Sequence, residues 1–140
     1  MITQTIINIL KQDSQIQSLL GGPYVSVTNL FNDTVDKQIN VSFDLGETNP
    51  ITAGEDIANI YEGTVTVYIL VKDSVQKPIE TIHNIATRVL QLLDLKGTTL
   101  SDSYTTTVYW IRKAKTGDIK YYENIGFYEL YIDFDWVAKI

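Results

Sequence analysis

Two aspartates near the C-terminus have a spacing that could support chemistry. Asp133 and Asp135 are two residues apart in an alternating segment, so both side chains project from one face of a strand, and Asp44 or Glu47 could join them. Paired carboxylates can bind divalent cations or carry out acid–base catalysis. Because calcium-loop spacing and a histidine ligand are both missing, the pattern favours the exposed face of a half-buried strand.

The acidic loop between residues 46 and 59 is a second place where carboxylates could converge. It is about fourteen residues long, lacks periodicity and contains Glu47, Glu55 and Asp56. A loop of that length is usually functional or mobile. An ion site would require these carboxylates to meet, and solvated loop charges are the favoured interpretation.

The sequence offers no nucleophile with its base. The single histidine, His83, lies at the edge of the apolar stripe of a predicted helix, and a general base there would need an adjacent nucleophile or an orienting carboxylate. There is no G-x-S-x-G segment, no phosphate-binding glycine pattern and no cysteine. We therefore interpret His83 as structural and predict no catalytic residue, metal site or cofactor, and no enzymatic activity.

The charge balance argues against a groove that grips nucleic acid. The 140-residue chain has a formal net charge of -6, and its densest basic group is Arg112, Lys113 and Lys115. Nucleic-acid binding relies on Lys and Arg to neutralise phosphates, so a cluster of three at a strand end is better explained as solvated. The longest dense apolar stretch, Val65 to Val71, is far too short to cross a bilayer, so we expect no membrane association.

The N-terminal segment has the periodicity of a helix with a break. Apolar residues recur at helical spacing from Ile2 to Leu20, but Asp13 falls near the middle of that face, where a carboxylate needs a partner. We predict that the helix breaks there, with Ser14 and Gln17 forming a capping box. The Gly21-Gly22-Pro23 segment then ends the second piece.

The remaining chain alternates between strand and helix patterns. Strands are predicted at 24–31, 38–45, 60–72, 104–115 and 127–138, and the most secure helix covers 78–94. Gly97 is the expected stop after that helix. The apolar residues on both faces of 60–72 place this strand at the centre of the sheet. The fold class is α+β: one domain, 1–140, with a mainly antiparallel sheet packed on one main helix plus an N-terminal kinked helix.

The C-terminal third carries more aromatic residues than one small core can easily bury. We expect some of them to contact another subunit. They are Tyr109, Trp110, Tyr121, Tyr122, Phe127, Tyr128 and Tyr131.

The order of these elements resembles the tail-terminator, or tail-completion, proteins of long-tailed bacteriophages. The resemblance rests on the broken helix from Ile6 to Gly22, the strand pair, the acidic loop and the Val65–Val71 strand. It continues through the Pro78–Leu93 helix to a last strand entered through aromatic residues and ending Phe134-Asp135-Trp136. It is a similarity of order and pattern over nearly the whole chain.

The resemblance implies a hexameric ring at the head-proximal end of the tail tube, made in the host cytoplasm and located in the virion. Such a ring stops tube polymerisation and docks the head, so its partners are copies of itself, the tail-tube protein and a head-completion or connector protein. DNA passes through without specific binding. Patterning then suggests Glu129, Asp133 and Asp135 as a lumen lining that repels DNA, and Glu47, Glu55 and Asp56 as a docking loop.

Two other interpretations stay open. Another neck or head–tail joining protein would have much the same sequence features. A small-ligand or peptide-binding domain would instead show a deep, closed apolar pocket in the monomer, whereas a ring protein would show flat aromatic patches.

Overall fold

The computed structural model describes residues 2–42, 49–50, 60–96 and 107–139 of the chain. In these ranges, three helices pack on one face of a seven-stranded sheet, an α+β fold with the predicted class. The sheet order is β1-β2-β4-β7-β5, with β3 paired to β4 and β6 paired to β7, and all pairs except β1–β2 are antiparallel. The helices are α1 (Ile2–Gln12), α2 (Ser14–Leu20) and α3 (Pro78–Leu93); the strands are β1 (Val25–Val27), β2 (Lys37–Val41), β3 (Asn49–Pro50), β4 (Ile60–Lys72), β5 (Thr107–Thr116), β6 (Lys120–Tyr122) and β7 (Phe127–Lys139).

The long antiparallel pair β4–β7 forms the centre of the sheet, as predicted for β4. The pairing runs from Ile60 opposite Lys139 to Lys72 opposite Phe127. Side chains alternate between the two faces, so every second residue of β4 points at the helices. Those positions are Val65, Val67, Ile69 and Val71, all fully buried.

Helix α3 has the predicted position and supplies much of the packing against this pair. Pro78 starts the helix, where its missing N–H costs nothing. Ile82, Ile85 and Val89 are fully buried, because they recur at the three- and four-residue spacing of one helix face. Ile79 has the same spacing but lies one turn earlier, in the first turn of the helix, and is exposed.

The predicted break in the N-terminal helix is confirmed, but its cap is Asp13 and not Ser14. The Asp13 carboxylate accepts a hydrogen bond from the Ile16 N–H at 3.0 Å, and the Gln17 side chain donates to the Lys11 carbonyl at 2.8 Å. Asp13 has an extended backbone, which is the conformation of an N-cap residue. Gly21 ends α2 with a left-handed backbone, as expected.

The first strands differ from their predicted form. The strand predicted at 24–31 ends at Val27 because a 3-10 turn follows at Thr28–Leu30, and β1 runs parallel to β2. Strand β2 was predicted to be half-buried, yet Gln38 and Asn40 on its polar side are also buried. Their amides donate to the Asn32 carbonyl at 2.7 Å and the Ser26 hydroxyl at 3.2 Å, which offsets the cost of burial.

The C-terminal sheet contains one strand that the sequence pattern did not indicate. Strand β6 is three residues long and forms the hairpin partner of β7, too short for a recognisable alternation. Strand β5 matches the prediction within a few residues and carries two irregularities, next to Val108 and next to Lys113. The second half of the predicted 38–45 strand, most of the acidic loop and Gly97 lie outside the described residues.

A helix-free sheet face as the candidate functional site

The sheet face that points away from the helices is the candidate functional site, and we call it the open face. It is set by the register of β4 and β7, in which Thr64 pairs with Asp135, Thr66 with Asp133, Tyr68 with Tyr131 and Leu70 with Glu129. Alternation sends the sequence neighbours of these residues into the helix-side core. The residues left on the open face are largely polar and aromatic.

The three acidic residues proposed from the sequence as a lining lie together on this face. Glu129, Asp133 and Asp135 follow one another on the same side of β7, and all three are half-buried. Asp133 accepts a hydrogen bond from the Thr66 hydroxyl at 2.6 Å, and Asp135 accepts one from the Thr64 hydroxyl at 3.0 Å. Both carboxylates are thus held in place across the two central strands.

Tyrosines occupy the middle of the open face. The rings of Tyr68 and Tyr131 are 6.4 Å apart, and the Tyr122 hydroxyl donates to Glu129 at 3.0 Å. Burial, and then the nearby carboxylates Glu129 and Asp133, raise the pKa of Tyr68. Burial and the bond to Glu129 raise the pKa of Tyr122. Both phenols therefore stay protonated and remain hydrogen-bond donors at neutral pH.

Basic residues on the neighbouring strands stand opposite each of the three acids. Arg112 pairs in register with Asp135, Lys115 with Asp133, and Lys120 with Glu129. The Lys115 ammonium lies 5.9 Å from the Tyr131 ring centre, and the Lys120 ammonium lies 4.8 Å from that of Tyr122. The open face consequently has mixed charge, a property that the sequence could not reveal because it depends on strand pairing.

A depression of about 470 Å³ lies where the open face meets the turn after β1. Phe31 packs edge-on against the buried Phe127 beneath it, with ring centres 5.2 Å apart. The depression is broad and open to solvent and lacks the enclosure of a small-molecule site. Its lining is Thr28, Phe31, Asn40, Ser42, Tyr68, Leu70, Tyr122, Ile125 and Glu129.

The other residues singled out in the sequence are not brought to this face. His83 is exposed on α3, beside the turn that joins β5 to β6. Glu47, Glu55 and Asp56, the predicted docking loop, lie outside the described residues. Within the described ranges, no group of three or more acidic or histidine side chains is placed to hold a metal ion. None of the described helices is long and apolar enough to span a membrane.

Comparison with known proteins gives a match in structure and none in sequence among family models and curated proteins. No family model matches the sequence, and none of the curated proteins matches it. One chain of a solved structure, the virion of a native gene transfer agent particle, superposes with a TM-score of 0.71 at 12% identity. The match covers 99% of this chain and 95% of that one. The two chains share a fold. At this identity the likeness extends to the fold and no further.

Proposed function

We propose that this chain is a structural protein of a phage-like virion. The observation that carries the proposal is the fold that it shares, over almost its whole length, with a chain of a gene transfer agent virion. A match covering both chains nearly end to end means that the entire architecture is common to the two, which a chance likeness of one sheet would not produce. The absence of paired catalytic groups in the sequence agrees with an assembly role.

Within the virion, we propose a tail-terminator role: a ring, expected to be a hexamer, at the head-proximal end of the tail tube. It ends tube polymerisation and joins the tail to the head, so it contacts the tube protein on one side and a head-completion or connector protein on the other. Support comes from the order of elements in the sequence and from the open face, which gathers acidic and basic side chains around central tyrosines on one broad surface that could line a channel.

The cations near Glu129, Asp133 and Asp135 modify the role that we propose for these acids, from strong to weak repulsion of DNA. We propose that Glu129, Asp133 and Asp135 belong to the channel side of the ring, where carboxylates keep passing DNA from binding. The cations opposite them in register reduce the net charge of such a lining, so weak interaction rather than strong repulsion would keep DNA mobile. Glu47, Glu55 and Asp56 remain the proposed docking loop.

The experiment that tests this function has two readouts. Light scattering or native mass spectrometry of the purified chain measures the assembly, and a polymerisation assay with the tail-tube protein measures tube length. We expect a closed ring, and shorter tubes when the chain is added below the concentration of tube protein. A strict monomer that leaves tube length unchanged would overturn the proposal.

A neck or head–tail joining protein is the second candidate, because the fold shared with the virion chain supports it equally. The assay separates the two roles, because a joining protein binds the connector without stopping tube growth. The open shape of the depression at the margin of the open face argues against the small-ligand alternative.

A further inference from the structure

Five of the eight exposed large apolar side chains of the described residues lie at the two opposite edges of the sheet. At the β5 edge, Leu95, Tyr109 and Trp110 are 79%, 43% and 39% exposed; we call these three residues the β5 patch. At the β1 edge, Tyr24 and Leu30 are 42% and 62% exposed. Single exposed apolar side chains are common on protein surfaces, whereas groups of them mark candidate protein–protein contacts.

At the β5 edge, backbone groups are already hydrogen-bonded, so a partner would contact side chains. The Lys113 N–H donates to the Asp94 carboxylate at 2.8 Å, and the Ile111 carbonyl accepts from the Leu95 N–H at 2.9 Å. These bonds occupy the edge in the middle of β5, and the irregularity beside Val108 interrupts the ladder further along. Simple addition of a strand is blocked there, which is how native edges avoid indiscriminate pairing.

The indole at this edge is held in a defined place. The Arg112 guanidinium lies 5.0 Å from the centre of the Trp110 ring, a cation–π arrangement on the same side of the strand. Lys113 follows directly and is exposed. The β5 patch is therefore an aromatic and aliphatic projection with the positive charge of Arg112 beside the indole, whereas Lys113 points to the other face of the strand.

The β1 edge has the complementary shape. A depression of about 220 Å³ lies there, and Pro23, Tyr24, Leu30 and Val35 are its apolar lining. We call it the β1 depression; its other lining residues are Lys11, Val25, Ser26, Asn32 and Gln38. The exposed carboxylates Asp33 and Asp36 stand on either side of Val35 in sequence, and together they outweigh the single positive charge of Lys11 in the lining.

We propose that the β5 patch of one copy of this chain seats in the β1 depression of the next copy, with Arg112 beside Asp33 and Asp36. The two edges are four strand spacings apart, roughly 19 Å, so one molecule cannot cover its own depression. Contacts between different surfaces of identical chains run head to tail, and they close into a ring when the rotation from one copy to the next completes a circle. The inference rests on the proposed ring and says which surfaces form it.

Cross-linking between introduced cysteines tests the contact directly, because the chain has no cysteine of its own. Asn29→Cys lies next to Leu30 and Ala114→Cys lies on the exposed part of β5. With a short bismaleimide, a mixture of the two single variants should give 29–114 dimers, and the double variant should give a ladder that ends at the ring size. In the control, Asn84→Cys replaces Asn29→Cys, because Asn84 is exposed on α3. Its mixture with Ala114→Cys should give no cross-linked dimer.

Symmetric 29–29 or 114–114 products as the main species would overturn the head-to-tail contact, as would cross-linking no stronger than in the control. The mass of the wild-type assembly distinguishes this failure from failure of the proposed function. A wild-type ring without 29–114 products leaves the ring standing and overturns the assigned surfaces. A strict wild-type monomer without these products overturns both.

Substitutions at the patch provide a second test. Trp110→Ser should weaken self-association by at least about tenfold, as expected for a central aromatic contact. Ile79→Ser is the matched control, since Ile79 on α3 is also 39% exposed and should leave association unchanged. Arg112→Glu should weaken assembly, and combining this change with Asp33→Lys and Asp36→Lys should restore it. Equal effects of Trp110→Ser and Ile79→Ser, or no rescue by the combined reversal, would contradict the proposal.

Discussion

At the scale of single residues, the contact between Asp13 and Arg88 shows how one side chain connects two helices. The Arg88 Nε and Nη2 atoms donate to the two Asp13 carboxylate oxygens at 3.0 and 2.7 Å, in the two-pronged geometry that makes such pairs strong. Both side chains are mostly buried, at 24% and 14% exposure. Asp13 also caps α2, so it terminates α1, starts α2 and fastens both to α3.

Replacing Asp13 should separate its two roles. Asp13→Asn keeps an acceptor for the Ile16 N–H but loses the charge, and should lower the free energy of unfolding by about 1.5 kcal/mol. Asp13→Ala loses the cap as well and should cost about 1 kcal/mol more. Urea denaturation at neutral pH measures both values. Ser14→Ala is the control, because the structure gives the cap to Asp13; a larger loss there than in Asp13→Ala would show that the cap is misassigned.

The same contact predicts a pH dependence with a definite sign. Hydrogen bonds and charge from Arg88 lower the pKa of Asp13 below its ordinary value of 3.8. A carboxyl whose folded-state pKa is depressed stabilises the protein above its unfolded pKa, and this stabilisation is lost as the pH falls through the folded value. The stability difference between wild type and Asp13→Asn should therefore be constant above about pH 5 and shrink below about pH 4. A difference that persists unchanged to pH 3 would contradict the assignment.

At the scale of secondary structure, α3 and the β4–β7 pair determine each other. The helix presents Ile82, Ile85 and Val89 to a sheet surface of alternating valines and isoleucines, all fully buried. The strand pair has thirteen register partners, so its alternation cannot slip by one residue without turning every apolar side chain to the wrong face. Helix packing and strand register therefore enforce the same arrangement.

Two isoleucines on α3 form a matched pair for testing this packing. Ile82→Ala should lower the free energy of unfolding by about 2–5 kcal/mol, because it leaves a cavity under the helix. Ile79→Ala should cost less than about 1 kcal/mol, since that side chain is 39% exposed. Thermal or urea unfolding of the two variants measures the difference. Equal losses would mean that α3 lies on the sheet in a different rotation.

At the scale of the whole molecule, the balance of charge on the open face bears on how DNA would pass. The acids on β7 stand opposite Arg112, Lys115 and Lys120 across the sheet, although the chain as a whole carries -6. Removing the acids would leave these cations uncompensated. Affinity for a polyanion depends on such local excess more than on net charge.

The double variant Asp133→Asn and Asp135→Asn should therefore gain binding to double-stranded DNA in a gel-shift assay at low salt, and lose it as salt is raised. The variant Glu80→Gln and Glu123→Gln removes the same two charges from exposed positions elsewhere and should gain little. Equal gains in the two variants would show that net charge, not the open face, governs contact with DNA.

Much of the fold could be predicted from periodicity. The recurrence of apolar residues predicts the limits of β4 and α3, the break at Asp13 and the alternation of β7. The reason is that a helix or strand packs into a core only through an apolar face. Short elements were missed: β6 and the 3-10 turn after β1 have three residues each, too few to show a period.

The composition and spacing of residues by themselves determined that this chain is an α+β protein whose last strand carries Glu129, Asp133 and Asp135 on one face. Tertiary structure decided what surrounds those acids. Strand pairing brings Lys115, Lys120 and the threonines of β4 to them. Packing of the helices brings Arg88 to Asp13 across 75 residues. Such partners are distant in the sequence, and local periodicity contains no information about which strand lies next to which.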